Sequence, residues 1–288
     1  MWIAESYAKI NLGLRVLERL PTGYHTIETG FVFLEWSDRF EVTPAGEYRL
    51  ELSDESIPTD ESNLITRAYR AFETYVGLQQ AYKIAVTKRI PAGAGLGGGS
   101  SNAALTFRML NKMEKAGLSD EEIVDLCRDL GADIPFFVMG KTGIGSGLGG
   151  DIEPLDIQPN AWIVTVYPGF ESSTADAYRY CEPNPDTNGE VKSILLNEPP
   201  DEWRYLLQND LEGPVVQKHH LIGDMKDQLY DFGADYAAMT GSGSSVFGLF
   251  EQDFVAINAY ESFHKLGFSA NLTRPGFSPD YGIYIKDN

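Results

Sequence analysis

Residues 91–104 read Pro-Ala-Gly-Ala-Gly-Leu-Gly-Gly-Gly-Ser-Ser-Asn-Ala-Ala. Before them, residues 82–90 alternate and are rich in β-branched side chains, the pattern of a strand. After them, Ala103, Phe107, Leu110 and Met113 recur at helical spacing, and Gly117 is placed to stop that helix. A glycine loop between a strand and a helix N-terminus can aim several backbone N–H groups at one point, where the helix dipole adds positive potential. Phosphate is the guest that such chemistry suits. A Walker A loop would end in Gly-Lys-Ser/Thr, whereas this one ends in Gly99-Ser100-Ser101. Gly93, Gly95 and Gly98 spell a dinucleotide fingerprint. That reading needs a second strand ending in an acidic residue. A second helix follows instead, opened by the capping box Ser119/Glu122 and carrying Ile123, Leu126, Cys127 and Leu130 as an apolar stripe.

Other residues of chemical interest are scattered. Lys9 and Asn11 alternate with Ala8, Ile10 and Leu12, so they project from one side of a strand, either into solvent or toward a substrate hydroxyl. Tyr24 and His25 follow a Pro21-Thr-Gly turn, where an aromatic ring and a hydrogen-bonding imidazole could receive a flat base or simply pack. Asp133, two residues before Pro135, suits a helix N-cap and also a general base. Asn63 stands at the start of a helix over 62–76, with Ser62 as candidate N-cap. Lys88 and Arg89, just before the glycine loop, are placed to make it locally positive.

That local charge matters because the chain as a whole carries −19 over 288 residues. Such a surface repels nucleic acid and anionic membranes, so neither is an expected partner. Hydrophobic content of 43% fits a soluble globular protein with a sizeable core. No stretch is long and apolar enough to span a membrane, and the first residues alternate like a strand rather than a signal peptide. Two cysteines argue for a reducing compartment, hence the cytoplasm, and with four histidines a zinc site is not expected.

The elements that must hold these residues follow from periodicity. Strands are expected over 8–16, 26–34, 39–43, 49–52, 82–90, 162–167, 236–239, 246–250 and 268–273, and residues 182–190 read as an exposed loop. Late helices are expected over 203–207, 223–232 and 254–266. The second glycine-rich stretch, 143–150, has no helical pattern after it and reads as a connection into a strand, marking a boundary between domains 1–155 and 156–288. A glycine-serine turn over 240–245 links the strands of a hairpin.

Five segments occur in order: Ala8-Lys-Ile-Asn-Leu12, Gly23-Tyr-His25, the glycine loop, Gly131-Ala-Asp-Ile-Pro-Phe-Phe137, and Ala237-Ala-Met-Thr-Gly-Ser-Gly-Ser-Ser245. Together they resemble the GHMP kinases (galacto-, homoserine, mevalonate and phosphomevalonate kinases), and within them the branch acting on 4-diphosphocytidyl-2-C-methyl-D-erythritol. The resemblance implies an α+β, two-domain fold: a ribosomal protein S5 domain 2-like N-terminal domain, a ferredoxin-like C-terminal domain, and the site in the cleft between them. It implies ATP as co-substrate with Mg²⁺, and transfer of a phosphoryl group to the 2-hydroxyl of that small molecule in non-mevalonate isoprenoid biosynthesis. Lys9 and Asp133 become the catalytic pair. Pro91, Gly93, Gly95, Leu96, Gly97, Gly98, Gly99, Ser100 and Ser101, with Asn63 and Lys88, become the ATP site, and Ser100 or Ser101 the metal ligand. Asn11, Tyr24, His25, Thr174, Tyr178, Gly241, Ser242 and Gly243 become the acceptor site, with the cytosine held between Tyr24 and Tyr178. A homoserine or mevalonate-type kinase would share the loop without needing a ring sandwich. A nucleotide-binding protein without activity would need neither Lys9 nor Asp133. Oligomeric state is not legible in the chain.

Overall fold

The computed structural model describes residues 1–286; the last two residues of the expected second domain lie outside the described residues. Strands β1 (Trp2–Arg19) and β2 (His25–Ala45) form a long antiparallel hairpin. Residues 26–34 and 39–43, expected as separate strands, are one continuous strand, because Glu35–Asp38 keep the alternation, with Trp36 and Asp38 on the buried face and Glu35 and Ser37 on the half-exposed one. The pairing register shifts between Tyr7 and Lys9 and again between Leu12 and Leu14. Gly13 supplies the second irregularity with a left-handed φ of 66°. Bulges of this kind re-aim neighbouring side chains, and this pair brackets Lys9 and Asn11.

Strand β3 (Arg49–Leu52) leads through helix α1 (Leu64–Val76) to β4 (Ala81–Thr87), which pairs parallel to β3 and antiparallel to β2. The N-cap of α1 is Asn63, whose side chain accepts from Ile65 N, and not Ser62, whose hydroxyl donates to Asp60. The glycine loop then runs into α2 (Gly98–Met113), followed by α3 (Asp120–Cys127) and α4 (Ile134–Met139). The Ser119/Glu122 capping box is present in both directions. The second glycine stretch is itself a strand, β5 (Gly143–Ser146), which pairs with β2 and turns into β6 (Asp151–Pro154). Glycine is required at Gly143 and Gly145 because a Cβ there would meet Glu153 O at 2.3 Å and Phe31 at 2.4 Å.

The second sheet has the order β10-β7-β9-β8, all antiparallel. Its strands are β7 (Trp162–Tyr167), β8 (Tyr236–Met239), β9 (Val246–Phe250) and β10 (Ser269–Thr273). Between β7 and β8 lie α5 (Thr174–Arg179), α6 (Glu190–Asn197), α7 (Trp203–Leu206), α8 (Glu212–Lys218) and α9 (His220–Asp231), and α10 (Asp253–Lys265) joins β9 to β10. Helices α5, α6 and α8 were not expected: each is eight residues or shorter, too short for a periodic pattern to stand out. After β10 the chain returns to the first sheet, where β11 (Tyr284–Ile285) pairs with the start of β1.

Three apolar clusters hold these layers. Phe31, Phe33, Phe40 and Ile84 from the first sheet pack against Ala68, Phe72, Phe107 and Phe136 from its helices. The opposite face of β1 and β2, with Ile10, Leu12, Val32 and Leu34, packs directly on Ile163, Tyr236, Phe247 and Leu249 of the second sheet. The far face of the second sheet is covered by Ile222, Met225, Leu229 and Phe263. Strands β1 and β2 are therefore buried on both sides, which overturns the solvent-facing reading of Lys9 and Asn11: each is 3% exposed.

Candidate active site

The centre of the site is Lys9. Its ammonium donates to Asn11 Oδ1 at 2.5 Å and to Gly95 O at 3.1 Å, and lies 3.3 Å from Asp133 Oδ2. Asn11 is oriented in turn: its Nδ2 donates to Thr29 Oγ1, and its backbone N–H donates to Thr240 Oγ1. Asp133 precedes α4 in helical conformation and caps nothing with its side chain. Its carboxylate is thus free of the N–H bonds that would weaken it as a base, and it faces the lysine instead. Its side chain is 32% exposed, so it is reachable from the cleft.

The glycine loop is pinned by close approach. Gly95 has φ 77°, and a Cβ there would lie 2.4 Å from Thr240 O; Gly97 has φ 69°, and a Cβ would meet the Phe137 ring at 2.8 Å. Lys9 N donates to Leu96 O and Ser245 N donates to Ala94 O, so β1 and the hairpin turn both grip the loop. Gly97 is the N-cap of α2 and gives it no side-chain cap. The first N–H groups of that helix therefore keep their capacity to bind an anion.

Two cavities meet at this loop. One, of about 350 Å³, is bounded by Leu52, Ile57, Asn63, Lys88 and the loop itself. The other, of about 1350 Å³, holds Lys9, Asn11, Tyr24, His25, Asp133, Thr174, Tyr178 and Gly241–Gly243. Gly93, Gly95 and Gly97 line both. The residues expected at the acceptor site thus share one cleft, and Thr174 Oγ1 reaches Ser242 Oγ at 2.8 Å. One of the expected rings is backed by the imidazole and the other is open to solvent. Tyr178 stacks on His25, with centroids 5.0 Å apart, while Tyr24 is 67% exposed. Burial, and after it the charge of Arg19, pulls His25 below its ordinary pKa, so its imidazole is neutral. Burial and the neighbouring Asp133 charge push the Tyr178 phenol upward.

Three expected ATP-site side chains are engaged elsewhere. Lys88 is nearly buried and ion-paired with the fully buried Asp38, and its ammonium also donates to Asn102 Oδ1 at 3.0 Å. It anchors the strand before the loop, and the ammonium that it brings to the smaller cavity is already paired with Asp38. Ser101 faces inward, 2% exposed, with its hydroxyl 2.7 Å from Ser6 Oγ. It is withdrawn from any metal, which leaves Ser100. The Asn63 amide caps α1 and donates to Pro58 O, though the residue still borders the smaller cavity. Among the described residues no cluster of three or more metal-ligating side chains exists.

Sequence reasoning gave no role to several contributors. Asn209 Nδ2 donates to Met239 O and Gly241 O, both at 2.8 Å, and so holds the hairpin turn over Asn11. Glu171 stands against the loop: a Cβ on Gly93 would lie 2.3 Å from its Cδ. Arg19 and Arg67 line the larger cleft without a carboxylate partner among the described residues. Each of these depends on contacts across long sequence separations, which no local pattern encodes.

Two family models match the chain: GHMP kinases N terminal domain over residues 63–141 and GHMP kinases C terminal over residues 195–268. The 4-diphosphocytidyl-2-C-methyl-D-erythritol kinase of Prosthecochloris aestuarii is 38% identical over 280 residues, covering 95% of this chain and 97% of its own. The protein of that name from Cytophaga hutchinsonii is 40% identical over 246 residues, 84% of this chain and 90% of its own. A crystal structure of 4-(cytidine 5'-diphospho)-2C-methyl-D-erythritol kinase superposes with a TM-score of 0.78 at 31% identity, over 95% of this chain and 100% of that one. A homoserine kinase from Cytophaga hutchinsonii, at 16% identity and a TM-score of 0.67, shares the fold. On the glycine loop, the Lys9–Asp133 pair and these similarities, the chain belongs to the GHMP kinase family, in its group of 4-diphosphocytidyl-2-C-methyl-D-erythritol kinases.

Proposed function

We propose that this kinase transfers the γ-phosphoryl group of ATP to the 2-hydroxyl of 4-diphosphocytidyl-2-C-methyl-D-erythritol. The observation that carries this is the loop shared by two cavities, with Lys9 and Asp133 on its acceptor side. Nucleotide phosphates lie on the loop and the N-terminus of α2, and the acceptor fills the larger cleft. Asp133 takes the hydroxyl proton, and Lys9 stabilises the developing alkoxide and keeps Asp133 ionised. Arg19 and Arg67 meet phosphate charge that the acidic surface would otherwise repel. The cytosine lies on the paired rings of His25 and Tyr178, with the exposed Tyr24 closing over it, and the neutral imidazole is suited to hydrogen-bond its edge.

Ser100, at the helix end of the loop, is the side chain that would meet Mg²⁺, together with the phosphates themselves. Bound there, the cation supplies charge neutralisation. We read the chain as domains 1–155 and 156–288, a division supported by β6 pairing in the first sheet and β7 in the second, with the tail from Phe277 to β11 crossing back onto the first. A cytoplasmic location is supported by two free cysteines, one of them buried with its thiol pushed up to about 12.

The test is ATP turnover with Mg²⁺, offering the cytidylyl substrate against homoserine and mevalonate. Turnover confined to the cytidylyl substrate is expected. Turnover confined to another alcohol would overturn the base assignments, and nucleotide binding without turnover on any would overturn the catalytic ones.

A further inference from the structure

Far from this cleft, Arg108, Lys112 and Lys115 share one face of α2 and its end, and all three border a separate cavity of about 410 Å³. In a chain with 42 carboxylates and 23 lysines and arginines, three cations around one cavity without a carboxylate partner stand out. Most lysines and arginines are paired; none of the ion pairs among the described residues includes Arg108, Lys112 or Lys115. The nearest acids are committed or opposed by number. Glu114 accepts from Tyr82 Oη and from Gln79 N, and Glu122 is tied into its capping box with Ser119. Asp120 alone stands at the rim as a countercharge.

Compensation of the helix dipole accounts for Lys112 and Lys115 at the end of α2. It does not account for Arg108, which lies a full turn deeper. Its guanidinium donates to Val138 O and stacks 4.8 Å from the Tyr281 ring, yet its Nε is buried with no partner. Tyr281 Oη beside it is likewise buried and unpartnered. Lys112 Nζ donates to Ile283 O at 3.0 Å and keeps two N–H groups to spare, so three cations without a carboxylate partner converge on one cavity, an arrangement suited to an anion. A single carboxylate would need only the arginine fork. A phosphate group can use the guanidinium N–H groups that Val138 O leaves over together with both ammonium groups, and the volume exceeds that of a simple ion.

We infer that the cavity between the C-terminal half of α2 and the returning tail at Tyr281–Ile283 binds a phosphate-bearing small molecule. The site is separate from the cleft: α2 spans about 24 Å from the glycine loop to its last turn. The inference stands whether or not the kinase reading holds.

Pyrophosphate is the probe, titrated into the full chain by calorimetry, with amide hydrogen exchange to locate it. Binding with slowed exchange over residues 108–119 and 281–285 is expected. Removing both ammonium groups, as Lys112→Gln with Lys115→Gln, should weaken that binding at least about tenfold per charge while the KM for ATP is unchanged. Lys115→Gly alone keeps the fold, since Lys115 sits at φ 54° where glycine is at ease, and should also weaken binding. Protection confined to residues 91–101, or affinity indifferent to these substitutions, would overturn the site.

Discussion

Lys9 Nζ lies 3.3 Å from Asp133 Oδ2, joining the first strand of the protein to the start of a six-residue helix. The lysine is buried and held by Asn11 Oδ1 and Gly95 O, whereas the aspartate faces the cleft. The cation is thus a fixed part of the site, and the carboxylate is the partner left accessible to substrate.

Lys9→Ala and Asp133→Asn should each lower kcat by about 10²–10³-fold, the size of a lost electrostatic partner at a reacting oxygen. The double variant should cost little more than either single one, because the two act as a unit. Steady-state kinetics beside circular dichroism checks this; near-normal turnover in either folded variant would remove the pair from the mechanism.

Lys88 should matter for folding. Lys88→Met leaves Asp38 buried and charged without its cation, at a cost of about 3–5 kcal/mol. Urea unfolding measures it. A stable variant with a raised KM for ATP would restore Lys88 to the nucleotide site.

At Gly97, alanine must adopt φ 69° and place a Cβ 2.8 Å from the Phe137 ring and 3.0 Å from Lys9 Cγ. Gly97→Ala should destabilise the protein by about 1–3 kcal/mol and move the lysine. Both the melting temperature and kcat/KM for ATP should fall; an unchanged kcat/KM would mean the loop tolerates that shift.

His25 is held below its ordinary pKa by burial and by Arg19, so the unfolded chain binds its proton more readily than the folded one. Its contribution to stability is complete above about 6.5 and is lost as pH falls from there through the folded value. The KM for the cytidylyl acceptor should rise over the same interval as the imidazole charges. His25→Gln should flatten both profiles; an unaltered KM profile would separate His25 from the base.

Tyr24 is exposed and Tyr178 is already stacked on His25, so they should respond differently. Tyr24→Ala should raise the acceptor KM about tenfold or more through lost stacking, with stability unchanged. Tyr178→Ala should raise KM and also lower the melting temperature. Equal effects on stability would show that Tyr24 is a packing residue.

Much of this was legible in the chain. The glycine loop needs no distant partner to be recognised, because strand, glycines and helix are contiguous, and the Ser119/Glu122 cap is local for the same reason. The family motifs also located Lys9 and Asp133. Their meeting was decided in three dimensions, by a hairpin whose two faces are both buried and by bulges that aim Lys9 and Asn11 into the cleft. The same burial turned Ser101 inward and paired Lys88 with Asp38: alternation shows which side of an element a residue occupies, but not what covers that side. The stacking of His25 on Tyr178, the grip of Asn209 on the hairpin turn and the arrival of Glu171 at Gly93 are contacts between segments far apart in sequence. Their energies depend on packing between the two sheets, so only the tertiary structure could decide them.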